Sequence, residues 1–228
     1  MMSAKPQRLL WVLAAAVMVV SRATCLRADE AVDREYRIKA AFVYNFLKFV
    51  DGGRFTPKQE KKKDEIDPND SLVVGILGVP PSRVAFEELQ GKQIGNRLII
   101  VRWFRGFEAL AGEDKTFPKQ HPDFDAIRAC HVLVLCPSEK AFLSRILTPL
   151  RASGVLTVGD VPSFLESGGV INLLIEDRKV RFEINLAAAV RARLTIRSSL
   201  LRLAVRTIEH DQLELAKAGE HPDETARP

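Results

Sequence analysis

Catalysis needs nucleophiles, bases or metal ligands at workable spacing, and few residues of this chain offer them. The histidines are His121, His131, His210 and His221; the cysteines are Cys25, Cys130 and Cys136. Only His131 adjoins a cysteine, Cys130, and neighbours on a strand point to opposite faces, so the two do not share a metal. Cys130 and Cys136 flank His-Val-Leu-Val-Leu, a continuous apolar run that reads as a buried strand. Six residues of strand span roughly 20 Å, whereas a disulfide needs Cα atoms within about 7 Å. The two are therefore expected to be unbonded thiols, with a redox switch or metal pair as the alternative. Gly75-Ile-Leu-Gly78 lies after a strand and before a helix, as a phosphate loop would. It lacks a third glycine, and Pro80 and Pro81 remove two N–H donors from any such cradle. No serine sits in a nucleophile elbow. Asp160 reads as a helix cap or as a carboxylate at a strand end, where α/β sheets gather ligands. Glu183 reads as part of a surface network with Arg181 or Asn172, or as an acid–base group with no second carboxylate to pair with. No catalytic residue, metal site or cofactor is expected.

The N-terminus points to export. Lys5 and Arg8 precede an unbroken apolar run, Leu9 to Val20, and Ser21-Arg22-Ala23 follows as a small-x-small triplet. That order is a secretory leader, and the run is too short to cross a bilayer. Residues 1–28 are read as the signal peptide, with the mature chain beginning between Thr24 and Asp29. Cys25 invites a lipoprotein reading, which Arg22 and Thr24 fit poorly. A cut after Ala28 removes Lys5, Arg8, Arg22 and Arg27, so 34 basic residues become 30 against 29 acidic and the net charge falls from +5 to +1. Nucleic acid is therefore not an expected partner. The basic run Lys58 to Lys63 is interrupted by Glu60 and followed by acids, as a solvated loop would be.

The whole chain is 46% apolar, an ordinary content, and what remains after the cut is enough for one core. The spacing predicts a helix over Asp33 to Val50, carrying Tyr36, Ala40, Val43, Leu47 and Val50 on one stripe, capped by Asp33 and ended by Gly52 or Gly53. Strands follow at Leu72 to Leu77, Arg97 to Trp103, Cys130 to Cys136 and Val155 to Val158. Helices are expected at Ser82 to Leu89, from Ser138 to about Arg151, and briefly after Asp160. Gly52 to Ser71 and Ala111 to Asp125 read as surface excursions. Helices between short apolar strands imply crossovers and a parallel sheet. Val170 to Glu176 and Lys179 to Leu186 straddle Asp177-Arg178 as a hairpin in which 176 faces 179, 174 faces 181 and 172 faces 183. One face is then wholly apolar (Ile171, Leu173, Ile175, Val180, Phe182, Ile184), and the other carries Asn172, Arg181, Glu183 and Asn185. Ser198 or Ser199 is expected to cap a last amphipathic helix bearing Leu201, Ala204, Val205 and Ile208. The fold class is thus α/β: one domain over 29–210, a mostly parallel sheet of about six strands with a C-terminal antiparallel hairpin, flanked by helices. Residues 211–228 complete the helix and form a disordered tail.

Several strings resemble the YfiR-like family of periplasmic regulatory proteins. They are the Lys-Ala-Ala-Phe-Val-Tyr-Asn-Phe core of Tyr36 to Val50, Cys-His-Val-Leu (130 to 133) and Leu-Thr-Val-Gly-Asp (156 to 160). The C-terminal signature follows: Gly-Gly-Val-Ile-Asn-Leu (168 to 173), Val-Arg-Phe-Glu-Ile-Asn (180 to 185) and Ser-Ser-Leu-Leu-Arg-Leu-Ala (198 to 204). The departures are Asp51-Gly52-Gly53 where members often have Trp-Pro, Arg178 where the hairpin turn often has Gly, and a long 111–125 stretch. The resemblance implies a non-catalytic periplasmic repressor of a membrane signalling protein such as a diguanylate cyclase. The polar hairpin face, with Asn172, Arg181, Glu183 and Asn185, is the contact surface expected for that partner. A small ligand in the strand-edge crevice is the alternative function, and a homodimer stays open.

Overall fold

The computed structural model describes residues 29–56, 70–111 and 116–209; the leader, Cys25, the Lys58 to Lys63 run, His210, His221 and the tail lie outside them. Residues 29–49 form helix α1, four residues earlier than Asp33 implied, so Asp33 lies inside the helix. Its expected stripe is buried, and Phe46 joins it. The helix passes into a short strand, β1 (Val50–Gly52), which pairs antiparallel with β9 (Leu194–Ile196). Gly52 has φ +82, and a Cβ there would lie 2.6 Å from the Arg193 carbonyl oxygen, so the pairing needs glycine.

The six expected strands are all present: β2 (Leu72–Leu77), β4 (Arg97–Phe104), β5 (Val132–Leu135), β6 (Leu156–Gly159), β7 (Ile171–Glu176) and β8 (Lys179–Asn185). Two short edge strands, β3 (Gln93–Ile94) and β10 (Arg206–Ile208), extend the sheet to eight, in the order β10-β8-β7-β6-β5-β2-β4-β3. Within this sheet, among the described residues, β3–β4 and β7–β8 pair antiparallel and the other neighbours parallel. The hairpin register is as expected, with Glu176 opposite Lys179, Leu174 opposite Arg181 and Asn172 opposite Glu183. Asp177 and Arg178 both adopt positive φ, 49 and 60, as a two-residue hairpin turn of matching twist requires.

Alternate residues of the central strands feed two cores. Val132, Val134, Leu156 and Val158 face α1, α2 (Arg83–Glu87) and α5 (Leu186–Arg191). Leu133 and Leu135 face α3 (Phe124–Arg128) and α4 (Leu143–Leu147). Cys130 and Cys136 flank β5 as free, buried thiols; burial pushes Cys130 up to about 11 and raises Cys136 further, aided by Asp160 and Glu139.

Three local expectations are corrected. Residues 160–168 form turns, not a helix, and Asp160 caps nothing. Ser138 lies within a 3-10 segment, Pro137–Phe142, and accepts from the Val79 N–H instead of capping. The last helix, α6 (Ser198–Leu201), is four residues long; Val205 lies in the bend that follows, and Ile208 belongs to a new strand, β10. The reason is the open edge of β8. Its unpaired backbone groups are satisfied when Val205 N–H donates to Phe182 O and β10 runs parallel beside Glu183 to Asn185.

His131 sits before β5 with Nδ1 accepting from the Val73 N–H, while the Arg97 guanidinium, a donor only, lies 3.0 Å from Nε2. Protonation would turn a second N–H toward donors. Burial, then the Arg97 charge, hold its pKa down at about 4 against 6.5. Between those values the unfolded chain binds the proton and the native protein does not, so stability present above pH 6.5 falls as pH drops toward 4. The loss is on the order of 3 kcal/mol. Chemical denaturation at a series of pH values should find this slope in the natural protein and a flatter one in His131→Asn; equal slopes would refute it.

Candidate functional site

The four residues expected on the hairpin's polar face divide sharply. Arg181 is exposed. Asn172 and Asn185 are buried, which corrects their expected exposure. Asn172 Oδ1 accepts from the Val161 N–H at 3.2 Å and its Nδ2 donates to Glu183 Oε1 at 3.1 Å. Asn185 is the N-cap of α5, accepting from the Ala188 N–H at 2.8 Å, and its Nδ2 donates to the Leu165 carbonyl at 3.0 Å. Both amides fasten the 160–168 turns and α5 to the sheet, because those turns fold back over this end of the hairpin. Glu183 is half-buried, accepting from Arg206 of β10, which also reaches Glu166 at 3.1 Å. The surface network with Asn172 is present; its main cation is Arg206 and not Arg181. Asn185→Ala removes a cap and strands the Ala188 N–H, so thermal melts should report a loss of about 1–2 kcal/mol; a change below about 0.5 kcal/mol would count against the cap.

The strand-edge crevice is filled by the protein itself. At the end of β6, the buried Asp160 carboxylate accepts from Tyr36 Oη at 2.6 Å and Lys39 Nζ at 2.8 Å, both on α1. Lys39 also reaches Glu35 at 2.6 Å. Burial and the bond to Asp160 raise the Tyr36 phenol far above its usual range. The space left beside this cluster and Cys136 is about 10 Å³, room for a water at most. Beyond the ends of β2 and β5, Glu139 is wholly buried, accepting from the Phe107 N–H at 3.0 Å and from Ser138 Oγ at 2.9 Å. A Cβ on Gly78 or Gly106 would strike this carboxylate, so Gly78 makes room for Glu139 and not for a phosphate. Among the described residues, no three His, Cys, Asp or Glu side chains are grouped to hold a metal ion. No helix among them is long and apolar enough to cross a membrane.

The open feature lies elsewhere. A groove of about 870 Å³ runs between the start of α1 and the hairpin tip. Ile38 (43% exposed) and Ile175 (49%) line it, and half-buried Phe42 packs inward, edge-on to Phe182 at 5.5 Å. Arg34, Glu35, Arg178 and Lys179 surround this apolar strip. Sequence reasoning placed Ile175 on a buried face, which is corrected here: the hairpin tip overhangs the core. The signal available was Ile38 and Phe42, one turn apart on α1 beside the core stripe, a second apolar ridge with nothing assigned to cover it.

The described residues thus form an α/β domain with a self-filled strand edge and an exposed apolar groove. The chain belongs to the YfiR/HmsC-like family, whose model matches residues 36–205. No curated protein matches it. Among solved structures, it is similar to a conserved domain protein of Vibrio cholerae O1 biovar El Tor (TM-score 0.43, 11% identity, 61% of this chain and 56% of that one). It is similar also to an ABC domain from Streptococcus pneumonia in complex with L-Trp (TM-score 0.43, 10% identity, 62% and 56%). The chain thus spans a little over half the length of each of these two.

Proposed function

We propose that this is an exported, periplasmic regulatory domain without turnover of its own, which binds the extracytoplasmic part of a membrane signalling protein such as a diguanylate cyclase. Family membership supports the class. The observation that carries the reading is the Ile38–Ile175 groove: exposed apolar side chains ringed by charge, which is how partner anchors and rims are arranged. The filled strand edge argues against a metabolite at that crevice. Arg181 lies one strand position from Val180 of the groove wall and fits a rim contact that tunes association more than it holds it.

The test is affinity capture from a membrane extract with the exported chain as bait, beside cyclic-di-GMP output of cells with and without the gene. Ile38→Asp and Ile175→Asp are expected to weaken capture at least about tenfold, worth about 1.4 kcal/mol, with thermal melts little changed because both sites are exposed. Arg181→Ala should weaken it modestly. Glu183→Ala is a poorer probe, since it also releases Arg206 and Asn172. Undiminished capture by both aspartate variants would remove the groove from the proposal, and unchanged cyclic-di-GMP output would remove the diguanylate cyclase.

A further inference from the structure

On the sheet face opposite α1, a cleft of about 710 Å³ opens between α3, α4 and the 116–121 loop. Its floor is Leu77, Phe107, Ile127, Ile146 and Leu150, all buried. Ser144 and Thr148, four residues apart, add two hydroxyls to one wall, and Lys119 and Arg145 stand as cations among its lining. No Asp or Glu lines it. Arg145 uses one N–H on the Pro118 carbonyl at 3.3 Å and lies 5.9 Å from the Phe107 ring centroid. Among the described residues no carboxylate pairs with Arg145 or Lys119. His121 is already committed: Nδ1 accepts from the Asp123 N–H, so Nε2 carries the hydrogen donated to the Arg105 carbonyl. Volume, apolar floor and a few polar groups match the general form of a small-molecule site.

We infer that this cleft binds a small amphipathic monoanion, its carboxylate taken by Arg145 and Lys119 and its apolar body laid on the Phe107–Ile146–Leu150 floor. The guanidinium keeps donors free in the fork geometry that suits a carboxylate, and the nearby apolar wall weakens competition from water. The apolar body gains about 25 cal/mol per Å² removed from water. A cationic ligand of the same shape meets two positive charges and no acid, and a neutral one keeps only the apolar contribution. This site is separate from the α1–hairpin groove and does not depend on the partner reading.

The probe is sodium octanoate, titrated calorimetrically into the exported chain beside 1-octanol, octylammonium and acetate. Octanoate should bind saturably and at least about tenfold more tightly than 1-octanol, while octylammonium and acetate should give no saturable binding. Arg145→Gln should weaken octanoate severalfold and the double variant Arg145→Gln with Lys119→Gln should bring it down to the level of 1-octanol, and Ser144→Trp, on the exposed wall, should abolish binding of both with the melt unchanged. Ile38→Asp should leave all four results as they were. Equal binding of octanoate and octylammonium, or full octanoate affinity in Arg145→Gln, would overturn the inference. So would loss of binding in Ile38→Asp with retention in Ser144→Trp, which would move the ligand to the groove. Absence of saturable octanoate binding would overturn it outright.

Discussion

Phe182→Ala is expected to cost about 3–5 kcal/mol of folding free energy, the range for emptying a buried aromatic site. Phe182 is 2% exposed and meets Phe42 at 5.5 Å and Phe46 at 5.4 Å, both edge-on, so the ring joins the hairpin to α1. Such pairs contribute beyond their area, roughly 0.5–1.5 kcal/mol each. The void would lie between a helix and a sheet, neither of which can collapse far, because α1 is also held at Asp160 and at the β1–β9 pair. Urea denaturation should give a lower midpoint with an unchanged m value, and the melting temperature should fall by roughly 10 °C for a domain of this size. Because Phe42 lines the groove proposed for the partner and rests on Phe182, the variant should also capture less partner as temperature rises toward its melt. A loss below about 1 kcal/mol would mean that α1 packs differently on the hairpin.

Asp160→Ala is expected to cost about 3 kcal/mol at neutral pH, toward the lower end for breaking a buried ion pair because Lys39 retains half-exposed Glu35. The damage comes from what is left behind: a buried ammonium with one partner fewer, and a Tyr36 hydroxyl with no acceptor. The double variant Lys39→Met with Asp160→Ala should therefore recover at least half of the loss, since no buried charge then lacks its partner. Additive costs from the two single changes, measured in a double-mutant cycle by urea denaturation, would show that the two side chains act independently.

Much of the sheet was legible from local pattern. Strict alternation between Ile171 and Ile184 admits a single register, since a slip by one residue would bring Arg181 and Glu183 into the core. Continuous runs such as Val132–Leu135 mark strands covered on both faces, and both cores are present. The apolar stripe of α1 and the unbonded state of Cys130 and Cys136 follow from repeat and strand length in the same way.

The candidate site was less legible, because alternation tells which face a residue is on and not whether anything covers that part of the face. Ile175 and Phe182 share one face, yet the first is half in solvent and the second buried, because α1 crosses one end of the hairpin and leaves the tip free. Asn172 and Arg181 share the other, yet only Asn172 is covered, by the 160–168 turns. A carboxylate after a strand looks like a cap until a lysine 121 residues away is brought to it, as Lys39 is to Asp160. Ser198 to Ile208 has a helical repeat, but the open edge of β8 claims its second half as a strand. Local pattern thus set the central strands, the hairpin register and the face each of their side chains takes, because these depend on neighbours along the chain and across one turn; it missed the 160–168 turns and β10. Tertiary structure alone decided which apolar and polar groups meet water, because burial depends on distant segments arriving over them, and the groove and the cleft exist only in the gaps those segments leave.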